Sequence, residues 1–270
     1  MANLQKVLIL GGEGAIGKEL DFGIKVSHEE VNILEEKSVR AAVKKYHPTA
    51  ILNLASLNLR DCEKDPLQAA KINVEGMANV QKIATEEHIP VILISSGTVF
   101  NGPKGTLFDE NAIPSPRNTY GLTKYLAEKI VTSYEKGIVV RTGWLFGFTH
   151  KRNFFNNVID AALQGKEINA TEDQTGSFTS VSDFQSTLKE VITAEKEGIY
   201  HIANNGGASA LEFCTELVRL LKSKSPIRAK SIIEDELNGP HRSRSEVLSS
   251  TKIKLRNWKL ALQETIALRN

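Results

Sequence analysis

A short apolar segment followed by a glycine-rich turn opens the chain and limits the folds open to it. Lys6–Leu10 has the length of a buried strand, and a helical pattern starts at Ala15 after several closely spaced glycines. Glycines here permit a tight turn, close approach of the backbone to a ligand, and close packing of a helix on a strand. The segment therefore predicts the strand, turn and helix that begin a parallel α/β sheet.

Apolar segments of strand length alternate with helical patterns through the first half of the chain. Further strands are predicted at Ile24–Val26, Ala50–Leu54, Pro90–Ser95 and Gly137–Arg141. Helices are predicted at Ala15–Leu20, Ser38–Tyr46 and Pro66–Glu87. This alternation is typical of a parallel sheet that is covered by helices on both faces. We predict an α/β fold with a Rossmann-like doubly wound parallel sheet and a smaller C-terminal substrate-binding portion.

The pattern becomes looser after Trp144, which indicates a second structural portion. Its predicted elements are helices at Asn153–Leu163, Val181–Ala194 and Ala208–Leu221 and a short strand at Tyr200–Ile202. We predict a cofactor-binding domain over residues 1–145 and a substrate-binding portion over 146–270. This prediction allows strands or helices of the second portion to belong to the main domain.

Composition and charge narrow the class of partner. The chain has 270 residues, is 41% hydrophobic and carries a formal net charge of +2, which calls for neither nucleic acid nor a membrane. No apolar segment has the length of a signal sequence or a membrane span. Cys62 and Cys214 are too few for a disulfide framework, and the histidines lack the paired spacing of a metal site. We expect a cytoplasmic protein without a metal ion.

The glycines fit two dinucleotide-binding spacings. One is Gly12-x-Gly14-x-x-Gly17, and the other is the wider Gly11-x-x-Gly14-x-x-Gly17. In both, the helix N-terminus offers free N–H groups and a partial positive charge to a pyrophosphate. An ordinary glycine-rich turn that binds no ligand could have the same glycines. The position of this turn between a strand and a helix favours a dinucleotide-binding turn instead.

The end of the second predicted strand bears on the choice between NAD and NADP. An NAD site usually has a carboxylate there for the adenosine ribose, whereas this chain has Ser27 and His28. His28 or Lys18 could approach a 2′-phosphate, which favours NADP. Glu29 and Glu30 are close enough to reverse this argument, so both cofactors stay open.

A tyrosine, a lysine and a serine form the candidate catalytic set. Tyr120 and Lys124 are four residues apart on a predicted helix and therefore share one face. A nearby ammonium stabilises a phenolate, so we expect Lys124 to lower the pKa of Tyr120 toward the working range. Ser95 and Ser96 end the fourth predicted strand, at the sheet edge where ligands bind, and a serine there can hydrogen-bond a reacting oxygen.

Several segments together resemble the extended short-chain dehydrogenase/reductase family, and within it the dTDP-4-dehydrorhamnose reductase group. The resemblance runs along nearly the whole chain. The segments that carry it are Asn53–Ser56, Lys71–Gly76, Ile94–Gly102, Tyr120 with Lys124, Val140–Gly147, Asn153–Phe154, Asp173–Thr179, Arg242 and Leu255–Trp258.

The resemblance implies reduction of a nucleotide-linked 4-keto-6-deoxy sugar by NADPH or NADH. It implies that Tyr120 protonates the developing alkoxide, Ser96 holds the oxygen, and Lys124 binds the nicotinamide ribose. With the motif arguments above, it assigns cofactor binding to Gly11, Gly14, Ala15, Ile16, Gly17, Ser27, His28, Asn32, Ile33, Leu54, Ala55, Ser56, Asn73, Tyr120 and Lys124. It assigns substrate binding to Thr98, Trp144, Asn153 and Arg242.

One departure from the family pattern keeps alternatives open. Gly97 and Thr98 follow Ser96, where the family usually has Asp and Tyr. The loss of that carboxylate argues against a 4,6-dehydratase. It leaves a nucleotide-sugar 4-epimerase and a non-catalytic NADP-binding regulatory subunit as alternatives to the reductase. A homodimer formed through the helices of Pro66–Glu87 and Tyr120–Tyr134 is also left open.

Overall fold

The structure is a computed structural model that describes residues 2–147, 153–233 and 240–269. In these ranges the strands are β1 (Val7–Leu10), β2 (Ile24–Val26), β3 (Ala50–Asn53), β4 (Val91–Ser96), β5 (Leu107–Phe108), β6 (Gly137–Thr142), β7 (Trp144–Phe146), β8 (Ile168–Thr171), β9 (Thr175–Ser180), β10 (Gly198–Ile202), β11 (Gly207–Ser209), β12 (Ile227–Lys230) and β13 (Ser245–Leu248).

Helices connect and cover these strands. They are α1 (Ala15–Glu19), α2 (Glu36–Tyr46), α3 (Leu59–Lys64), α4 (Pro66–Ala70), α5 (Gly76–Glu86), α6 (Thr119–Thr132), α7 (Phe154–Leu163), α8 (Val181–Ala194), α9 (Ala210–Leu220) and α10 (Trp258–Ala267). A π-helical turn at Lys71–Glu75 joins α4 to α5. Over the described residues, no helix is both long and apolar enough to cross a bilayer.

The central sheet confirms the predicted fold class. Its six strands run in the order β10-β6-β4-β3-β1-β2, and all of the pairings are parallel. Alternate residues of β1 point to opposite faces, so Leu8 and Leu10 join one buried cluster and Val7 and Ile9 join another. Both faces are covered, which explains why the strand is apolar at every position.

The C-terminal half adds a second lobe and also extends the main sheet. The lobe contains a sheet ordered β11-β9-β13-β5, with β7 paired to β9, and a separate β8-β12 pair. Its core includes a group of aromatic side chains, namely Phe146, Phe155, Phe178, Phe213 and Trp258. Strand β10 pairs with β6 at the edge of the main sheet. The first lobe therefore includes residues after 145. The domain boundary at residue 145 stays a prediction.

Two helix predictions need correction. The predicted helix Pro66–Glu87 is α4, the π-helical turn and α5 in succession, and the turn allows Asn73 to point into the protein. The helix predicted at Ala208–Leu221 begins two residues later, at Ala210, because Ala208 belongs to β11 and Ser209 caps α9 with a reciprocal Glu212 capping box. The short strands of the second lobe and helices α3 and α10 were not predicted.

Candidate active site

The glycine turn after β1 forms a backbone cradle. Gly11 lies at φ +73°, and a Cβ there would come within 2.8 Å of the Ala55 backbone nitrogen. A Cβ on Gly17 would lie 2.3 Å from the Gly12 carbonyl oxygen. Gly14 is the N-cap of α1 and offers no side chain to its first N–H groups. The first turn of α1, which contains Ala15 and Ile16, thus fits a diphosphate.

A carboxylate, that of Glu30, lies shortly after the end of β2. The Ser27 backbone N–H donates to Glu30 Oε2 at 2.8 Å, and the Glu30 N–H donates to Ser27 Oγ at 3.2 Å. His28 is exposed beside this turn. These bonds place the Glu30 carboxylate next to Ser27 at the end of β2, so both NAD and NADP stay open.

A cavity of about 240 Å³ lies at the carboxyl end of the central sheet, in contact with the glycine turn. Its lining brings together six of the predicted cofactor-binding and catalytic residues, namely Ile16, Leu54, Ser56, Ser96, Tyr120 and Lys124. The carboxyl ends of parallel strands meet at one edge, and this explains why residues from distant segments converge here.

Tyr120 and Ser96 both line this cavity, and the Ser96 hydroxyl is close enough to influence the pKa of the phenol. Asn118 caps α6 by accepting the Gly121 N–H at 2.8 Å, which fixes the first turn that carries Tyr120. Burial raises the pKa of Tyr120 above its ordinary value, with smaller contributions from Cys62 and Glu246, while the Ser96 hydroxyl opposes them. The phenol is therefore held in its protonated, donor form.

Lys124 lies behind the tyrosine. Its Nζ donates to the Ile94 carbonyl at 2.8 Å and is 5.8 Å from the centre of the Tyr120 ring. Burial lowers the pKa of Lys124 to about 8. The prediction that Lys124 lowers the pKa of Tyr120 is not met in this arrangement, because burial of the phenol has the larger effect.

The predicted cofactor residues outside this cavity have structural contacts of their own. Asn73 is 4% exposed, accepts the Leu57 N–H at 2.8 Å and donates to Thr123 Oγ1 at 2.9 Å. It therefore fixes the segment after β3 against α6. Ile33 is buried against Gly76, and Asn32 is tied to Glu35 and the Leu34 N–H.

A second cavity, of about 510 Å³, adjoins the first through Leu145, which lines both. Two predicted substrate residues line it, Trp144 and Arg242, together with Arg60 and Gln174, which were not predicted. Asn153 instead caps α7 by accepting the Asn156 N–H at 2.9 Å, and its neighbour Asn157 reaches the cavity. Apolar rings and two guanidinium groups therefore face the same space.

Thr98, the remaining predicted substrate residue, lies next to the Ser96 hydroxyl. Its Oγ1 is 3.0 Å from Ser96 Oγ and 3.2 Å from Glu246 Oε2. Glu246 is 5% exposed on β13, and burial raises its pKa to about 7. A Cβ on Gly97 would lie 2.8 Å from the Glu246 carbonyl oxygen. The glycine thus allows β13 to bring a carboxyl group beside Thr98.

A buried ion pair supports the strand that ends at Ser96. Arg141 on β6 and Glu128 on α6 form a two-bond contact at 2.8 and 2.6 Å, and each side chain is 2% exposed. Ser95 donates to the same carboxylate at 2.5 Å. His201 lies 3.3 Å from Arg141, and its Nδ1 lies 2.8 Å from the Ser249 carbonyl, so Nδ1 carries the proton.

Comparison with known proteins places the whole chain among one set of relatives. Residues 5–269 match the family model described as the RmlD substrate binding domain. A dTDP-4-keto-6-deoxy-D-glucose reductase of Streptomyces niveus is 26% identical, over 97% of this chain and 97% of the relative. The spore coat polysaccharide biosynthesis protein SpsK of Bacillus subtilis is 29% identical, over 99% of each chain.

A solved structure gives the same result for the fold. The dTDP-4-dehydrorhamnose reductase of Bacillus anthracis, determined in complex with NADP, superimposes with a TM-score of 0.90 at 26% identity. The match covers 98% of this chain and 100% of that one. The likeness of fold therefore extends through both lobes.

Proposed function

The chain belongs to the RmlD substrate binding domain family, and on that premise we propose that it is an NAD(P)H-dependent reductase of a nucleotide-linked 4-keto-6-deoxy sugar. One observation carries the proposal. Ser96, Tyr120 and Lys124 line the same cavity as Ile16 of the glycine turn, so a proton donor lies beside a dinucleotide cradle. The names of the relatives, which include keto-sugar reductases, support the same reaction.

The cofactor is held by the backbone of the glycine turn and by the segment after β3. Gly11 and Gly17 let the turn pack closely on the backbone of Ala55 and Gly12, which a Cβ would prevent, and Leu54 and Ser56 line the cavity. When bound, the reduced nicotinamide supplies the hydride. Lys124, at the back of the cavity, holds the ribose through its ammonium group.

The proton comes from the protein. Tyr120 donates its phenolic proton to the oxygen of the substrate ketone as negative charge develops on it. Ser96 holds that oxygen by a hydrogen bond, in the manner of an oxyanion hole. The raised pKa of Tyr120 keeps the phenol protonated before the reaction.

The nucleotide sugar occupies the larger cavity. A sugar nucleotide carries a diphosphate, and Arg242 and Arg60 supply positive charge there. Trp144 and Phe154, which is 45% exposed, offer aromatic surface for a base or a sugar ring. Leu145 lines both cavities, and beside it the keto group would reach Tyr120.

Replacing Arg242 with Ala is expected to raise KM for the nucleotide sugar by about tenfold or more and to leave KM for the coenzyme unchanged. Loss of a charge-assisted contact to phosphate removes about 1.5–3 kcal/mol of binding. Steady-state kinetics with each substrate varied in turn measures this. Arg228, exposed on β12 away from the cavity lining, provides the matched Arg228→Ala control. Equal KM values for the two variants would remove Arg242 from the site.

The reaction is tested by following absorbance while NADPH or NADH reacts with a panel of nucleotide-linked 4-keto-6-deoxy sugars. A reductase consumes one coenzyme per sugar, and the two coenzymes give the preference left open by Ser27, His28 and Glu30. Isomerisation of a nucleotide sugar without net consumption would identify a 4-epimerase. Tight coenzyme binding with no turnover across the panel would favour the regulatory subunit.

We also propose that the protein is cytoplasmic, because both cysteines are free. We propose in addition that it forms a homodimer, because a group of leucines is exposed on adjacent helices. Leu122 and Leu126 on α6 are 48% and 43% exposed, and Leu67 on α4 is 79% exposed. Leu122→Glu with Leu126→Glu is expected to give a monomer in sedimentation velocity, because it places charge on the apolar contact. Leu163→Glu, at another exposed leucine, is the control. A monomeric parent chain would exclude the dimer.

A further inference from the structure

A continuous set of hydrogen-bonding groups leads from the candidate proton donor into the protein. Tyr120 and Ser96 line the same cavity, Ser96 Oγ lies 3.0 Å from Thr98 Oγ1, and Thr98 Oγ1 lies 3.2 Å from Glu246 Oε2. Gln174 Nε2 lies 3.5 Å from the other carboxyl oxygen, and the Trp144 side chain is close enough to lower the pKa of the carboxyl group. The chain of hydroxyls thus ends at a carboxyl group that is held on both of its oxygens.

The direction of these hydrogen bonds depends on the charge of Glu246, because each hydroxyl has only one proton to donate. When Glu246 is ionised, Thr98 donates to it and Ser96 must donate to Thr98. Ser96 then has no proton for Tyr120. When Glu246 is protonated, it donates to Thr98 and Thr98 donates to Ser96. The Ser96 proton is then available to hold the ketone oxygen and, once Tyr120 has given up its own proton, to turn to the phenolate.

We propose that Glu246 is a positioning residue that supplies a proton, through Thr98 and Ser96, to the phenolate left when Tyr120 has protonated the substrate. The inference rests on the proposed reductase function. In the transfer, Ser96 gives its proton to the Tyr120 oxygen, Thr98 reprotonates Ser96, and Glu246 reprotonates Thr98. The carboxylate that remains regains a proton from solvent in the larger cavity, which is lined by its partners Trp144 and Gln174.

The charge environment permits both forms of Glu246 near neutral pH. Burial raises its pKa to about 7, and the Thr98 hydrogen bond and the charge of Arg242 oppose this shift. Arg242 lies on the segment before β13, and Tyr120 faces Glu246 from α6. The relay works with the protonated acid, so the reductive rate should fall as pH rises through the pKa of Glu246.

Glu246→Gln tests the relay, because the amide keeps the size and the hydrogen bond to Thr98 but has no proton to transfer. We expect kcat to fall by about tenfold, with KM for the coenzyme unchanged and the decline of kcat near neutral pH abolished. Thr98→Val should cause a similar loss with Glu246 intact. Thr98→Ser, which restores a hydroxyl, should recover most of that loss.

Infrared spectroscopy gives a readout that does not depend on turnover. The parent chain should show a protonated carboxyl band that titrates near neutral pH and is missing in Glu246→Gln. If the parent reduces keto sugars while Glu246→Gln and Thr98→Val keep its rate and pH profile, the relay is wrong and the reductase assignment stands. If the parent reduces none, that assignment fails. A Glu246 that is still ionised at about pH 5 overturns the relay in either case.

Discussion

Replacing Tyr120 with Phe is expected to lower kcat for keto-sugar reduction by about 10²- to 10⁴-fold. The substitution removes the phenolic oxygen that would donate the proton, but it keeps the ring that lines the cavity with Ser96. The glycine cradle and the segment after β3 are unchanged. The dissociation constant for NADPH, measured by fluorescence titration, should therefore stay within about twofold of the parent.

Helix α6 contains its own control for this experiment. Tyr125 and Lys129 repeat the same four-residue spacing, with the Lys129 ammonium 5.1 Å from the centre of the Tyr125 ring. Tyr125 packs on the small cluster around Phe100 and does not line the catalytic cavity. Tyr125→Phe should keep the parent kcat. A Tyr120→Phe enzyme as active as Tyr125→Phe would exclude Tyr120 as the proton donor.

These two pairs also show what the sequence could and could not predict about the site. A tyrosine and a lysine four residues apart occur twice on one helix, and spacing alone cannot rank them. The preceding serines at the end of β4 select Tyr120, since strand ends and helix starts meet at one sheet edge. Glu246 could not be found in this way. It reaches Thr98 through the pairing of β13 with β9, a contact between residues far apart in sequence.

The same difference appears in the fold, where some strands could be predicted from their own residues and others could not. Strand β1 was predictable because a sheet covered on both faces demands apolar residues at every position. Strands β9 and β13 are also buried throughout, yet Thr175–Ser180 is rich in Thr and Ser. Its hydroxyls are satisfied by neighbours, such as the Ser177 Oγ that accepts the Leu248 N–H at 2.9 Å. A pattern of hydrophobicity cannot register burial of this kind.

Replacing Glu128 with Ala is expected to lower the free energy of unfolding by about 3–5 kcal/mol, the largest stability effect we predict. The change leaves the Arg141 guanidinium buried without its carboxylate partner and removes the acceptor of the Ser95 hydroxyl. His201 cannot compensate, because burial lowers its pKa and it remains a neutral imidazole beside Arg141. Urea denaturation followed by circular dichroism measures the loss.

The size of this effect depends on burial, and the chain offers for comparison an ion pair whose guanidinium is exposed. Glu216 and Arg219 on α9 form a contact of 2.6 Å, but the Arg219 side chain is 65% exposed. Glu216→Ala should cost less than about 1 kcal/mol, since water solvates the remaining guanidinium. The double change Glu128→Met with Arg141→Met should recover much of the stability lost in Glu128→Ala, because it removes both buried charges. If Glu128→Ala cost no more than Glu216→Ala, the buried pair would not be what holds α6 against β6 next to the proposed active site.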